Sequence, residues 1–135
     1  MRIGTTRSTS RRATQAVALG LVVLTAAIVA AQSKRDVAVS ARRYAYRVGD
    51  GDEAVIRVKQ DDIVRVTFSA EDIPHSFTID EYRISRRAEP GKSVPFEFHA
   101  SQTGEFLIYC NLAIDERCRR DLHGRLIVEA RGLWH

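Results

Sequence analysis

Residues 54–69 have the sequence AVIRVKQDDIVRVTFS, in which apolar and polar side chains alternate on both sides of a polar break. Alternation with a period of two is typical of a β-strand that buries one face and exposes the other. The polar residues 60–62 interrupt the alternation and predict a turn. This stretch therefore predicts two consecutive strands of a half-buried sheet.

Further segments on both sides of this stretch have the composition of short strands, and turn signals such as Pro90-Gly91 and Thr103-Gly104 separate them. About seven short strands with frequent turns predict an all-β protein with a Greek-key β-sandwich. Residues 111–122 are rich in charge and predict a loop or a short helix. The additional strand candidates are residues 37–47, 75–79, 93–99, 105–109 and 124–130.

An uncharged run, AVALGLVVLTAAIVAA at residues 16–31, follows an N-terminus that is rich in arginine. It predicts one hydrophobic helix, either a signal peptide cleaved near Ala31 or an uncleaved membrane anchor. Because positive residues stay in the cytoplasm, both alternatives place the remainder on the periplasmic or extracellular side of the cytoplasmic membrane. The predicted organisation is a signal or anchor at 1–31, a linker at 32–43, a folded domain at 44–130 and a tail at 131–135.

The net charge of +4 belongs to the leader. Residues 1–31 contain four arginines and no acidic residue, which leaves 17 of the 21 basic residues against all 17 acidic ones in the rest of the chain. The exported part is therefore neutral and does not need a polyanion to balance its charge. We expect no nucleic-acid partner.

Residues that commonly bind metals gather near the C-terminal end of the predicted domain. Cys110, Cys118 and His123 lie within 14 residues of one another, and His75 begins a more distant strand. Thiolates and imidazoles together select copper or zinc over magnesium or calcium. These four residues predict a metal site in which a strand end and the following loop supply three ligands.

The same two cysteines allow a second interpretation. Thiols in exported proteins tend to pair, and a bond between Cys110 and Cys118 would close a short loop. A disulfide would remove both thiolates and abolish tight copper binding.

The segment DIPHSF at residues 72–77 resembles the D-V-x-H-S-F segment of cupredoxins, in particular of the copper A domain of cytochrome c oxidase subunit II. The resemblance spans residues 44–130 and implies a Greek-key β-sandwich with copper at one end. It implies His75 as the upstream histidine ligand and Cys110 as the first cysteine ligand. Cys118 matches either the second cysteine of a binuclear centre or a position near the loop histidine of a mononuclear one. Its other matching pieces are EPG at 89–91, FEF at 96–98, TGEF at 103–106 and YC at 109–110.

The ligand loop departs from the family. That family spaces its ligands C-x3-C-x3-H-x2-M, whereas this chain has C-x7-C-x4-H, and Leu122 falls near the position of the methionine. The only methionine is Met1. A mononuclear site with His75, Cys110 and His123, and optionally Cys118, is easier to build from this loop than a binuclear centre.

These observations predict a copper-binding electron carrier that meets a redox partner protein outside the cytoplasm. No nucleophile–base pair or phosphate loop accompanies the cluster, so catalysis is not expected, and a role as an oxidase subunit stays open. Two alternatives are a copper storage or delivery module served by a copper chaperone, and a metal-free interaction domain with a Cys110–Cys118 disulfide. The arginine-rich residues 117–120 predict a solvated loop or a docking patch for an acidic partner, and Tyr44 is predicted to pack.

Overall fold

The structure is a computed structural model that describes residues 33–132. These residues form nine strands, one 3-10 turn at Asp80–Tyr82 and one short helix, α1, at Glu116–Asp121. The charged segment 111–122 is thus partly helical, as predicted. The strands are β1 (Lys34–Arg42), β2 (Ala45–Val48), β3 (Val55–Lys59), β4 (Ile63–Ala70), β5 (His75–Ile79), β6 (Ile84–Ala88), β7 (Ser93–His99), β8 (Gly104–Tyr109) and β9 (His123–Glu129).

The strands form two sheets, one with the order β2-β1-β4-β7 and one with the order β3-β9-β8-β5-β6. The pairs β1–β4 and β3–β9 are parallel, and the other strand pairs are antiparallel. Phe68 of the first sheet and Phe77 of the second pack with ring centroids 5.7 Å apart, and both are fully buried. The prediction of an all-β sandwich is confirmed.

The predicted linker is where the structure differs most from the sequence interpretation. Residues 34–42 form β1, which pairs along its length with β4 and belongs to the domain. The polar start of this strand hides the signal, because inward-facing burial becomes complete only at Val39 and Ala41. Strand β6 was also missed, since its centre is Ser-Arg-Arg and only its ends, Ile84 and Ala88, are buried.

A buried carboxylate joins both ends of the described chain at one end of the sandwich. Asp62, which is 1% exposed, accepts a hydrogen bond from the backbone N–H of Lys59 at 2.9 Å. It forms ion pairs with Arg35 at the start of β1 and with Arg131 after β9. We call this end of the domain, where residues 60–62 turn, the base.

Helix α1 has six residues, and no helix among residues 33–132 is long and apolar enough to cross a membrane. The apolar run 16–31 lies outside the described residues, as do residues 133–135 of the predicted tail. The signal peptide or anchor therefore stays a prediction.

Asp62→Asn should lower the free energy of unfolding by about 2–3 kcal/mol, because it weakens charge-assisted hydrogen bonds to a buried carboxylate. Urea unfolding at neutral pH measures this loss. Asp61→Asn is the matched control, since Asp61 is 57% exposed and contacts the exposed ring of His99. The control should cost less than about 1 kcal/mol, and equal losses in the two variants would contradict the role assigned to Asp62.

Candidate functional site

Three of the four predicted ligand residues meet at the end of the sandwich opposite the base. His75 is the first residue of β5, and Cys110 directly follows β8. These two strands are antiparallel neighbours with Thr78 opposite Tyr109, so the start of one lies beside the end of the other. Cys118 returns to the same place on α1, where it is the buried residue of the helix.

The two cysteines form a disulfide, with their Cα atoms 5.5 Å apart, and both residues are fully buried. Asp115 caps α1 by accepting hydrogen bonds from the backbone N–H groups of Arg117 and Cys118, at 3.0 and 3.3 Å. This cap fixes the first turn of the helix and with it the position of the Cys118 sulfur. The structure thus has the disulfide of the second interpretation, and not two free thiolates.

His75 is 0% exposed and makes a polar contact through each ring nitrogen. Its Nε2 lies 2.9 Å from Oδ1 of Asp72, and its Nδ1 lies 3.7 Å from the Sγ of Cys118. A carboxylate can only accept, so Asp72 places the ring proton on Nε2 of the neutral imidazole. In this neutral tautomer, Nδ1 is the unprotonated nitrogen and faces the sulfur of Cys118.

Asp72 is held by the backbone as well as by the histidine. Its carboxylate accepts hydrogen bonds from the backbone N–H groups of Arg43 and Ile73, at 2.9 and 2.8 Å. Desolvation pushes the pKa of this carboxyl upward, but these two bonds and the one from His75 outweigh it and lower the pKa to about 2. Asp72 is therefore ionised at neutral pH and orients the imidazole.

The structure does not bring His123 to the other three residues. His123 begins β9, is exposed, and lines a shallow groove of about 520 Å³ together with Arg57 and Leu107 on the outer face of the five-stranded sheet. Leu122, one residue earlier, is fully buried. The loop therefore turns an apolar side chain inward and its histidine outward.

These positions determine how well the site suits copper. No group of three or more His, Cys, Asp or Glu side chains within residues 33–132 is arranged to hold a metal ion in the disulfide form. Reduction would convert the sulfurs of Cys110 and Cys118 into two thiol donors beside Nδ1 of His75. Two sulfurs and one imidazole nitrogen suit a soft metal such as copper, so the residues fit copper in the dithiol form and without His123.

Asn111 and Tyr44 are among the site residues whose roles the sequence interpretation missed. Asn111 pins the loop after Cys110: its backbone N–H donates to Ser76 Oγ at 2.8 Å, and its Nδ2 donates to Ser85 Oγ at 3.0 Å. An Asn after a strand end is a weak local signal for such a turn. Tyr44, predicted only to pack, places its ring perpendicular to that of His75 with centroids 6.4 Å apart.

No protein-family model matches the sequence, and no curated protein matches it. Solved structures do match. A chain in a cryo-EM structure of a heme-copper terminal oxidase dimer has a TM-score of 0.65 at 17% identity, covering 73% of this chain and 65% of that one. The blue copper protein auracyanin A from Chloroflexus aurantiacus has a TM-score of 0.57 at 14% identity, with coverages of 72% and 100%. The fold is that of the cupredoxins.

Subunit II of cytochrome oxidase matches twice. Its periplasmic domain from Bradyrhizobium japonicum has a TM-score of 0.63 at 14% identity, covering 76% of this chain and 88% of that one. A chain in the mixed disulfide intermediate between a thioredoxin-like protein and subunit II has a TM-score of 0.59 at 13% identity, with coverages of 78% and 88%. The predicted resemblance of this cupredoxin fold to the copper A domain is confirmed at the level of fold.

Asp72→Asn should reduce the stability of the domain more at pH 6 than at pH 3. An unfolded Asp has a pKa of about 3.9, whereas the folded pKa is about 2. The carboxylate's contribution is therefore fully present above about pH 4–5 and is lost as the pH falls from about 4 towards 2. Urea unfolding at both pH values measures the gap between wild type and variant. Glu71→Gln, which changes an exposed carboxylate 4.0 Å from Arg42, is the control, and a gap for Asp72→Asn that is independent of pH would contradict the assignment.

Reducing the disulfide should lower the free energy of unfolding by about 2–3 kcal/mol, because the bond closes a loop with a sequence separation of 8. Denaturant unfolding with and without reductant measures this difference. The double variant Cys110→Ser, Cys118→Ser should lose a similar amount and should not respond to reductant. A wild-type protein whose stability is unchanged by verified reduction would refute this prediction.

Proposed function

We propose that this cupredoxin domain is an extracytoplasmic copper-binding protein that works in one-electron transfer and not as an enzyme. Its ligands are His75, Cys110 and Cys118 in the dithiol form. The observation that carries the proposal is the convergence of Nδ1 of His75 and both sulfurs at one buried point, with 3.7 Å between Nδ1 and the Sγ of Cys118.

Each surrounding group has a definite task in this proposal. Copper bound here would supply a one-electron couple. Asp72 holds the proton of His75 on Nε2 and leaves Nδ1 free to donate to the metal. The Asp115 cap holds Cys118, and the hydrogen bonds of Asn111 hold the loop that begins at Cys110. The ligands are fully buried, so water is kept away from the site.

The proposed location rests on the predicted export, and the proposed partner rests on the chemistry of the disulfide. Export by residues 1–31, as anchor or as signal peptide, would place the domain on the periplasmic or extracellular side, and the matched subunit II domain is described as periplasmic. Copper can enter only after the disulfide has accepted two electrons. A thiol reductant is therefore a required redox partner, and the solved mixed disulfide of subunit II with a thioredoxin-like protein supports a partner of this class.

Copper storage or delivery is a second candidate, and the donor set favours it. The site offers two sulfurs for one imidazole, His123 faces away, and fully buried Leu122 takes the place expected for methionine. Thiolate-rich sites select Cu(I). The metal-free alternative is favoured by the disulfide itself.

Reconstitution with copper tests these candidates. The domain is reduced without oxygen, its two thiols are counted, and copper is added and the excess removed before the metal content is measured. We expect one copper per domain. His75→Gln and Cys118→Ser should each lower the bound copper at least tenfold, whereas His123→Ala, the matched control on the outer face, should bind as wild type does.

Spectra of the loaded protein separate the roles. An intense thiolate-to-Cu(II) absorption band with a Cu(II) electron paramagnetic resonance signal supports electron transfer. A protein that holds only spectroscopically silent Cu(I) supports storage or delivery. No bound copper in a protein with two verified thiols would refute copper binding and favour the metal-free domain.

A further inference from the structure

The disulfide cannot be reached from solvent in this conformation, because Cys110 and Cys118 are both 0% exposed. Reduction of the folded domain therefore requires a local opening. Helix α1 is the segment best suited to open. It has six residues, and Cys118 is the only one of them that is buried. A helix of this length has little stability of its own, so its contacts decide how often it opens.

One side chain of α1, which connects two strands of the five-stranded sheet, contacts a loop of the four-stranded sheet. The guanidinium of Arg117 lies over the ring of Tyr44, 4.3 Å from its centroid. Tyr44 lies in the connection between β1 and β2 and is half-buried, with its ring edge-on to His75. The stack therefore joins α1, Tyr44 and the buried imidazole in one continuous contact.

The neighbouring arginines do not make this contact. Arg120 pairs with Asp121 inside the same helix at 3.0 Å, and Arg119 forms no ion pair within the described residues. Arg117 also pairs with Asp121, one turn later, at 3.1 Å. Arg117 is therefore the arginine of α1 that ties the helix to the rest of the domain.

We propose that the contact between Arg117 and Tyr44 is a latch that holds α1 closed over the disulfide and limits how fast a dithiol reductant reaches it. Both residues are positioning residues, since neither touches the reacting sulfurs in the chemistry itself. The inference rests on the reduction of the Cys110–Cys118 disulfide, which the proposed function requires, and not on copper binding. It assigns to Arg117 and Tyr44 a role in regulating when the site becomes available.

The reaction that reports on the latch is the reduction of Cys110–Cys118 by excess dithiothreitol. The S–S bond of the protein breaks and each sulfur gains an electron and a proton to become a thiol. Dithiothreitol supplies both electrons and both protons and ends as a cyclic disulfide. The attack passes through a mixed disulfide, so its rate depends on access to the protein sulfur.

The test measures this rate in the folded, metal-free protein by acid quenching, alkylation and mass spectrometry. Arg117→Ala and Tyr44→Leu should each accelerate reduction by about two- to fivefold, the equivalent of one exposed cation–π contact. Arg119→Ala is the matched control on the same helix, and Tyr44→Phe keeps the aromatic ring. Both controls should be reduced at the wild-type rate.

The double variant Arg117→Ala, Tyr44→Leu distinguishes a shared contact from two separate effects. If the two side chains act together, the double variant is reduced no faster than the faster single variant. Rates that multiply, or an Arg117→Ala rate equal to that of Arg119→Ala, would overturn the latch. Copper content is measured in separate samples, so a domain that binds no copper but shows these rates keeps the latch and loses only the metal function.

Global unfolding gives the second readout. The contact is made in the closed domain and lost in both the locally open and the unfolded state. Arg117→Ala should therefore lower the free energy of unfolding of the disulfide form by about the amount to which its acceleration corresponds, whereas Arg119→Ala should leave it unchanged. A loss of global stability without faster reduction, or faster reduction without any loss of stability, would contradict the latch.

Discussion

Strands β5 and β8 lie side by side and antiparallel, and every feature of the site depends on this pairing. It places the start of one strand, at His75, next to the end of the other, at Cys110. The hydroxyl of Tyr46, in the opposite sheet, donates to the carbonyl of Ser76 and so holds the start of β5 in place. The remaining ligand-type residue that reaches this corner, Cys118, does so because a capped helix turns the chain back.

Much of the sandwich could be predicted from the sequence because most of its inward positions are apolar. Strand β4 alternates clearly, with Val64, Val66 and Phe68 buried and polar side chains between them. Only the second half of β1 was predicted as a strand, because its first residues are polar, and β6 was missed because its centre is Ser-Arg-Arg. The same limit applies to the site: its ligand-type residues were identifiable by type, but the roles of Asp72 and Tyr44 depend on distances that no local pattern encodes.

The same three side chains support two chemical states. With the sulfurs bonded, they form a buried disulfide beside an imidazole. With the sulfurs reduced, they would offer the three donors that the proposed copper site requires. Asp72 contacts His75 and the backbone but not the cysteines, so its hold on the ring does not depend on the state of the sulfurs. The outward turn of His123 leaves one imidazole at the site and adds to the departure of this loop from the family's ligand spacing.

The ion pairs of Asp62 with Arg35 and Arg131 have a consequence for where the domain can be attached to another protein or to a surface. The chain enters at Ser33, whose carbonyl accepts from Ile63, and leaves at Arg131, whose guanidinium donates to Gln60, so entry and exit lie together at the base. Strand β1 then runs parallel to β4 for about eight residues, or roughly 26 Å, to the other end. A fusion partner or surface linker joined at either point would attach at the base. The end of the domain that holds Cys110 and Cys118 would then be the end remote from the attachment.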